Sequence, residues 1–156
     1  MSAKNLFHML PNNFTRKSQE AIQTAHNIAV ENGQQGLEPI HLLAALLSQD
    51  DGVVSAITDK ITPKKSDLRG EVDSILSSLP SQSAPQPTGG LAQIYMSQQM
   101  AAVLANAHKK AKSFKDDFIS TEHLLLGLIT NKPIARLLGT YQIDEEEVMR
   151  VLKEIR

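Results

Sequence analysis

Four of the five histidines fall into two pairs, His26 with His108 and His41 with His123, and each pair is separated by 82 residues. Imidazoles in a regular array invite a metal-binding or proton-transfer reading. The spacing argues against it. No two histidines show the i, i+4 separation that lets one helix present two rings to an ion, and the chain has no cysteine to complete a site. Placed by duplication, these histidines are expected at helix ends or on half-exposed faces, with no metal bound.

Two acids offer a different chemistry. Asp116 and Glu122 stand six residues apart, across the junction of two predicted helices. A carboxylate in the first turn of a helix is stabilised by the unpaired N–H groups and the helix dipole, by about 0.3–1 kcal/mol, which is sufficient to account for Glu122. The equivalent earlier position is Ile40, however, so the fold itself does not demand an acid there. An acidic rim beside apolar side chains suits docking of a peptide with exposed hydrophobes. Enzymatic signatures are missing: the chain carries no G-x-x-x-x-G-K-[ST] loop, no G-x-S-x-G elbow, no H-E-x-x-H pair and no cysteine nucleophile. By itself it is expected to be neither an ATPase nor any other enzyme, with no catalytic residues and no cofactor.

The bulk composition narrows the partners. Sixteen basic residues against 17 acidic ones leave a net charge of −1, without the basic excess of a nucleic-acid binder. The one basic concentration (Lys109, Lys110, Lys112 and Lys115) is followed at once by Asp116 and Asp117 and reads as a solvated helix end. The longest apolar runs, 42–47 and 124–129, are six residues each, against the roughly 20 that a membrane span needs. No secretory signal pattern opens the chain. No membrane partner is expected, and a cytoplasmic location is.

The elements that must position these residues come from an internal repeat. With residues 14–48 laid over 96–130, seven of 35 positions are identical and the rest largely keep their apolar or polar character. His41-Leu42-Leu43 falls on His123-Leu124-Leu125 without a gap. Each copy, about 70 residues, is marginal as a core, whereas about 150 residues bury roughly 68–70% of the unfolded surface. One domain with pseudo-twofold symmetry follows. With 41% apolar residues but only 4% aromatic ones, the core must be aliphatic, which favours helices.

Periodicity predicts four helices per copy. The first starts at Phe14 with Thr15 as its cap and ends at Asn32-Gly33. The second starts at Glu38-Pro39, because proline suits the first helical position. A short third helix covers 53–59. A fourth starts at Thr62-Pro63, with Leu68, Val72, Ile75, Leu76 and Leu79 as core. Residues 80–93 form a linker rich in proline and glycine. In the second copy a helix runs from Ile94 to about Ser113, with Met96, Met100, Val103 and Leu104 on one face. The next opens at Ser120-Thr121, a short one lies around 133–138, and the last opens at Asp144 with Val148, Val151, Leu152 and Ile155 facing inward. The expected architecture is all-α: two pseudo-symmetric four-helix repeats, 14–79 and 94–155, in one eight-helix domain behind an N-terminal extension, 1–13.

The run Glu38-Pro39-Ile40-His41-Leu42-Leu43-Ala44-Ala45-Leu46-Leu47 resembles the E-P-x-H-L-L-x-A-L-L signature of the Clp N-terminal (Clp repeat) domain. Phe118-Ile119-Ser120-Thr121-Glu122-His123-Leu124-Leu125 is similar to the partner signature in that family's second repeat. The resemblance spans roughly residues 14–155. Within the family, Glu38-Pro39, Leu79-Pro80 and Phe118-Ile119-Ser120 look most like the ClpB disaggregases. The resemblance implies a substrate-recognition module that binds unfolded or aggregated polypeptide through an apolar groove. It further implies a hexameric, ATP-driven parent whose ATPase modules follow in sequence and are absent from this chain, working with the DnaK system. Carried over by type, Thr15, Asp116 and Glu122 match polar positions associated with substrate handling, and Phe14, Met100 and Leu104 are the apolar groove candidates. Asn106, Lys110 and His123 stand where close relatives carry leucine. The phosphoarginine sites of the ClpC branch use a glutamate in each copy; Ile40 replaces the first here, so a symmetric pair is not expected. The other reading is a stand-alone adaptor docking onto a Clp unfoldase.

Overall fold

The computed structural model describes residues 13–81 and 94–156. The expected extension and most of the linker, residues 1–12 and 82–93, lie outside the described residues. Eight helices appear among those described. They are α1 (Arg16–Glu31), α2 (Pro39–Ser48), α3 (Val53–Ile61), α4 (Lys65–Ser78), α5 (Gln98–Ser113), α6 (Thr121–Ile129), α7 (Lys132–Gly139) and α8 (Glu145–Ile155). The helices α1 and α5 begin and end 82 residues apart, as the repeat requires.

At the centre lie α2 and α6, which touch each other and also pack against the long helices α1 and α5. They are almost wholly apolar, and every residue from Thr121 to Leu128 is buried. A helix hydrophobic on all sides is stable only inside a core, and the duplication supplies two such helices to cover each other. The outer helices α3 and α8, one from each copy, close the back of the molecule.

Two short pairings tie the copies together. Gly36–Leu37 (β1) runs parallel to Tyr95–Met96 (β2), with Leu37 opposite Met96, and Phe14 bridges Ile119, also in parallel. Adding 82 to Phe14 gives Met96, and adding 82 to Leu37 gives Ile119. The segment before the long helix of each copy thus pairs with the segment before the central helix of the other. The equivalent hydrogen bonds match: the Thr15 amide donates to the Ile119 carbonyl at 3.1 Å, and the Ser97 amide to the Leu37 carbonyl at 3.2 Å. This reciprocal exchange is the pseudo-twofold axis expressed in backbone hydrogen bonds.

Helix ends follow local chemistry. Thr15 caps α1 by accepting the Ser18 amide at 3.2 Å, and its counterpart Ser97 caps α5 by accepting the Met100 amide at 3.0 Å. Both long helices end in a six-to-one hydrogen bond, Gln34 amide to Ala29 carbonyl and Asp116 amide to Ala111 carbonyl. The left-handed residue this requires is Gly33 (φ 67°) in the first copy and Lys115 (φ 61°) in the second.

Several expectations are corrected. The fourth helix starts at Lys65, not at Pro63, because Thr62 closes α3 and its hydroxyl accepts the Lys64 amide instead of capping a helix that starts at Pro63. The fifth begins at Gln98, not at Ile94, because Tyr95 and Met96 are taken up by strand pairing. Ile155 is 43% exposed and leaves the inner face of α8. Of the histidines, His41 and His123 do stand at helix starts and His108 is half-exposed, but His41 and His123 are fully buried and His26 is buried as well.

Candidate functional site: a buried cap network and an apolar groove

The buried histidines have a structural task that their position dictates. Each is the third residue of its central helix. Nδ1 of His41 accepts the Glu38 amide and Nδ1 of His123 accepts the Ser120 amide, both at 2.9 Å, so each ring satisfies a backbone N–H at a helix start. With Nδ1 accepting, Nε2 carries the proton and donates outward. In the first copy it donates to Gln34 Oε1 at 2.6 Å, and Nε2 of the Gln34 side chain donates on to the Leu76 carbonyl. In the second it donates to Asp116 Oδ2 at 2.9 Å. Gln34 and Asp116 are themselves 82 residues apart, so one network has been built twice, neutral once and charged once.

The charged version recruits more groups. Arg156 donates to both Asp116 oxygens at 2.7 and 2.8 Å, its guanidinium lies 5.5 Å from the Phe114 ring centre, and Phe114 meets His123 edge-on. The Arg156 hydrogen bond holds the Asp116 carboxyl below the usual carboxylate range, and the same bond raises Arg156. Burial pushes the His123 imidazole down, against the opposing pull of Glu122 and Asp116. In the neutral copy burial takes His41 to about 4. Glu122, 8% exposed, occupies the first turn of α6 with no hydrogen-bond partner among the described residues; the helix N-terminus stabilises its charge.

Ser120, His123 and Asp116 fall within serine–histidine–carboxylate contact, since the Ser120 hydroxyl also lies 2.9 Å from His123 Nδ1. A catalytic reading fails on two counts. The Nδ1 lone pair that would act as base already accepts the Ser120 amide. In the other copy the same cap is built from Glu38, His41 and Gln34 with no nucleophile at all. The arrangement holds a helix start.

The residues named from resemblance divide accordingly. Thr15, Asp116 and Glu122 lie along one seam, where the Thr15 amide bonds Ile119 and Asp116 bonds His123. Phe14, Met100 and Leu104 are 5%, 0% and 5% exposed. They are core side chains and offer no surface to a peptide in this conformation. The neighbouring face of α5 is polar: Asn106 donates to the Thr130 hydroxyl and Lys110 pairs with Glu145. An open apolar groove between the first and fifth helices is therefore not formed here.

An apolar groove exists elsewhere. A cavity of about 350 Å³ lies between the start of α2, the end of α4, and α7, lined by Ile40, Ile75, Leu79, Pro133, Ile134 and Leu137. Helical periodicity places Ile75 and Leu79 in the core, but both are half-exposed. The available signal was a second stripe on α4: Leu68, Val72 and Leu76 form one i, i+4 line that is buried, while Ile75 and Leu79 form another that stays half-exposed.

The sequence of residues 13–152 matches the family model of the Clp repeat (R) N-terminal domain. The chain belongs to the Clp repeat N-terminal domain family. It is 34% identical over 146 residues to the chaperone protein ClpB of Bacteroides thetaiotaomicron, and 33% identical over 147 residues to that of Clostridium tetani. These alignments cover 93% and 91% of the chain and 16% of each relative, so this Clp repeat domain spans about a sixth of their length. Among solved structures, the Hsp104 N-terminal domain of Candida albicans superposes with a TM-score of 0.74 at 23% identity, covering 87% of this chain and 86% of that one. The N-terminal domain of the ClpV1 ATPase of Escherichia coli does so with a TM-score of 0.72 at 17% identity, covering 96% and 86%. Both carry the same fold. No single helix among the described residues of the Clp repeat domain is long and apolar enough to cross a membrane.

Proposed function

We propose that this domain is the substrate-recognition module of an ATP-dependent protein disaggregase. It binds unfolded or aggregated polypeptide and passes it to ATPase modules outside this chain, in a hexameric parent that works with the DnaK system. The observation that carries this reading is the groove at Ile75, Leu79, Pro133 and Leu137, where half-exposed aliphatic side chains gather around one cavity, whereas the exposed Val30, Val53 and Ile155 do not line it. The likeness to ClpB chaperones supports it. Thr15, Asp116 and Glu122 enter as the polar frame that fixes the start of α6. No observation favours the stand-alone adaptor.

Such a groove binds weakly. Burying on the order of 150 Å² of apolar surface contributes about 4 kcal/mol before the costs of association and ordering, so a single groove binds no more tightly than about 1 mM. Several copies acting on one extended chain would raise the effective affinity without new contacts. The direct test is an NMR titration of the labelled domain with a soluble, permanently unfolded protein. Shifts are expected at Ile75, Leu79 and Leu137 and are expected to disappear in Leu79→Asp. Absence of shifts at near-millimolar ligand would remove the substrate-binding function.

A further inference from the structure

A second cavity, of about 460 Å³, adjoins the groove and shares Glu38 and Leu79 with it. The rest of its lining differs in kind and includes Gln34, Gly36, His41, Pro80 and Tyr95. Tyr95 is 59% exposed, as Phe118 is at 57%, but of the two only Tyr95 lines this cavity or the adjoining groove. Strand register places it directly beside Gly36. A methyl group at Gly36 would lie 3.1 Å from Tyr95 Cζ and 3.2 Å from Glu38 Oε1, so the ring tip and the carboxylate converge over the bare glycine.

The polar groups deeper in this cavity are already used. Gln34 is bonded to His41 and Leu76, and His41 to Glu38 and Gln34. The Glu38 carboxylate accepts the His41 backbone N–H at the start of α2 but makes no ion pair among the described residues, where carboxylates such as Asp51, Asp116 and Glu145 do. Among the described residues it is the one carboxylate lining the cavity, and no lysine or arginine lines it. A carboxylate without a cation beside an exposed aromatic ring is complementary to a planar cation, which stacks on the ring and hydrogen-bonds to the carboxylate.

We infer that this cavity is a subsite for an arginine side chain of the bound polypeptide, next to the apolar groove that takes its hydrophobic neighbour. The inference rests on the groove binding described above and adds a sequence preference to it: a basic residue adjoining aliphatic ones in an extended segment.

The test compares two capped heptapeptides with identical leucine and isoleucine residues, one carrying arginine and the other its neutral isostere citrulline. Binding is read by fluorescence anisotropy on the natural chain, Glu38→Gln and Tyr95→Ala. The arginine peptide should bind the natural chain roughly tenfold more tightly. That ratio should fall to near one in Glu38→Gln and shrink in Tyr95→Ala, while both variants keep the helical circular-dichroism spectrum and the single thermal transition of the natural chain and so are shown to be folded. Equal binding of the two peptides to the natural chain, or a preference that survives Glu38→Gln, would overturn the arginine subsite and leave the apolar groove standing. Binding of neither peptide would remove the groove and the subsite together.

Discussion

His41 carries the clearest consequence at the scale of single residues. Its ring is neutral, accepts one hydrogen bond at Nδ1 and donates one at Nε2, and protonation would destroy the first. In the unfolded chain the imidazole titrates near 6.5, whereas in the fold burial lowers it to about 4. Between those values the unfolded state holds a proton that the folded state lacks, so stability rises with pH. The contribution is complete above about pH 6.5 and is lost as pH falls toward 4, by roughly 2–4 kcal/mol in all. Urea unfolding at pH 7 and pH 4.5 should show this loss. His41→Asn, which keeps a short acceptor at the helix start, should be less stable at pH 7 but show a shallower slope; an unchanged slope would exclude His41 as its source. The sequence shows that the histidines are duplicated but not that they are buried, because a histidine's burial depends on a partner such as Gln34, seven positions away in the loop after α1.

At the scale of elements, the contact between α5 and α6 is set by one missing methyl. A Cβ at Gly127 would lie 2.5 Å from the Val103 carbonyl oxygen and 3.0 Å from the Ala107 nitrogen, both backbone atoms that move only with their helix. In an exposed helix Gly→Ala is favourable by up to about 1 kcal/mol. Here overpacking outweighs that gain, and Gly127→Ala should destabilise the domain by about 2 kcal/mol. A fall of roughly 4–8 °C in Tm is expected by calorimetry, at about 2–4 °C per kcal/mol for a chain of this size; a rise would show that α5 and α6 are free to separate. The first copy has Ala45 at the same place, so the two interfaces are related but not interchangeable. Alignment of the copies showed this difference, while the distance that gives it force belongs to the packed pair.

The whole molecule is held together by exchange between its halves. Phe14 pairs with Ile119, Leu37 with Met96, α2 with α6 and α3 with α8, and the Tyr141 hydroxyl of the second copy donates to Glu71 of the first at 2.6 Å. Separated, each copy would expose a central helix that is apolar on every side, at a length where one core is marginal. A chain of residues 94–156 alone is therefore expected to lack a cooperative thermal transition by circular dichroism, whereas the full chain should unfold in a single one. A cooperative transition in the half-chain would mean that the copies are independent domains.

Local chemistry determined much of this protein from its sequence. The caps at Thr15 and Asp144, the proline-led start of α2 and the eight helices follow from residues within a few positions of one another. The duplicated period carried the symmetry, and the signature runs carried the family. The tertiary structure decided what depends on distant contacts. Strand pairing shortened α5 and drew Tyr95 beside Gly36. Packing buried Phe14, Met100 and Leu104, which helical periodicity marks as apolar without showing whether they face the core or a groove. It also left Ile75 and Leu79 half-exposed, because a stripe on α4 is covered only where another helix reaches it, and at the end of α4 the neighbouring α7 stops short of closing the gap. Periodicity specifies which face of a helix is apolar; only the arrangement of the other helices specifies whether that face is filled.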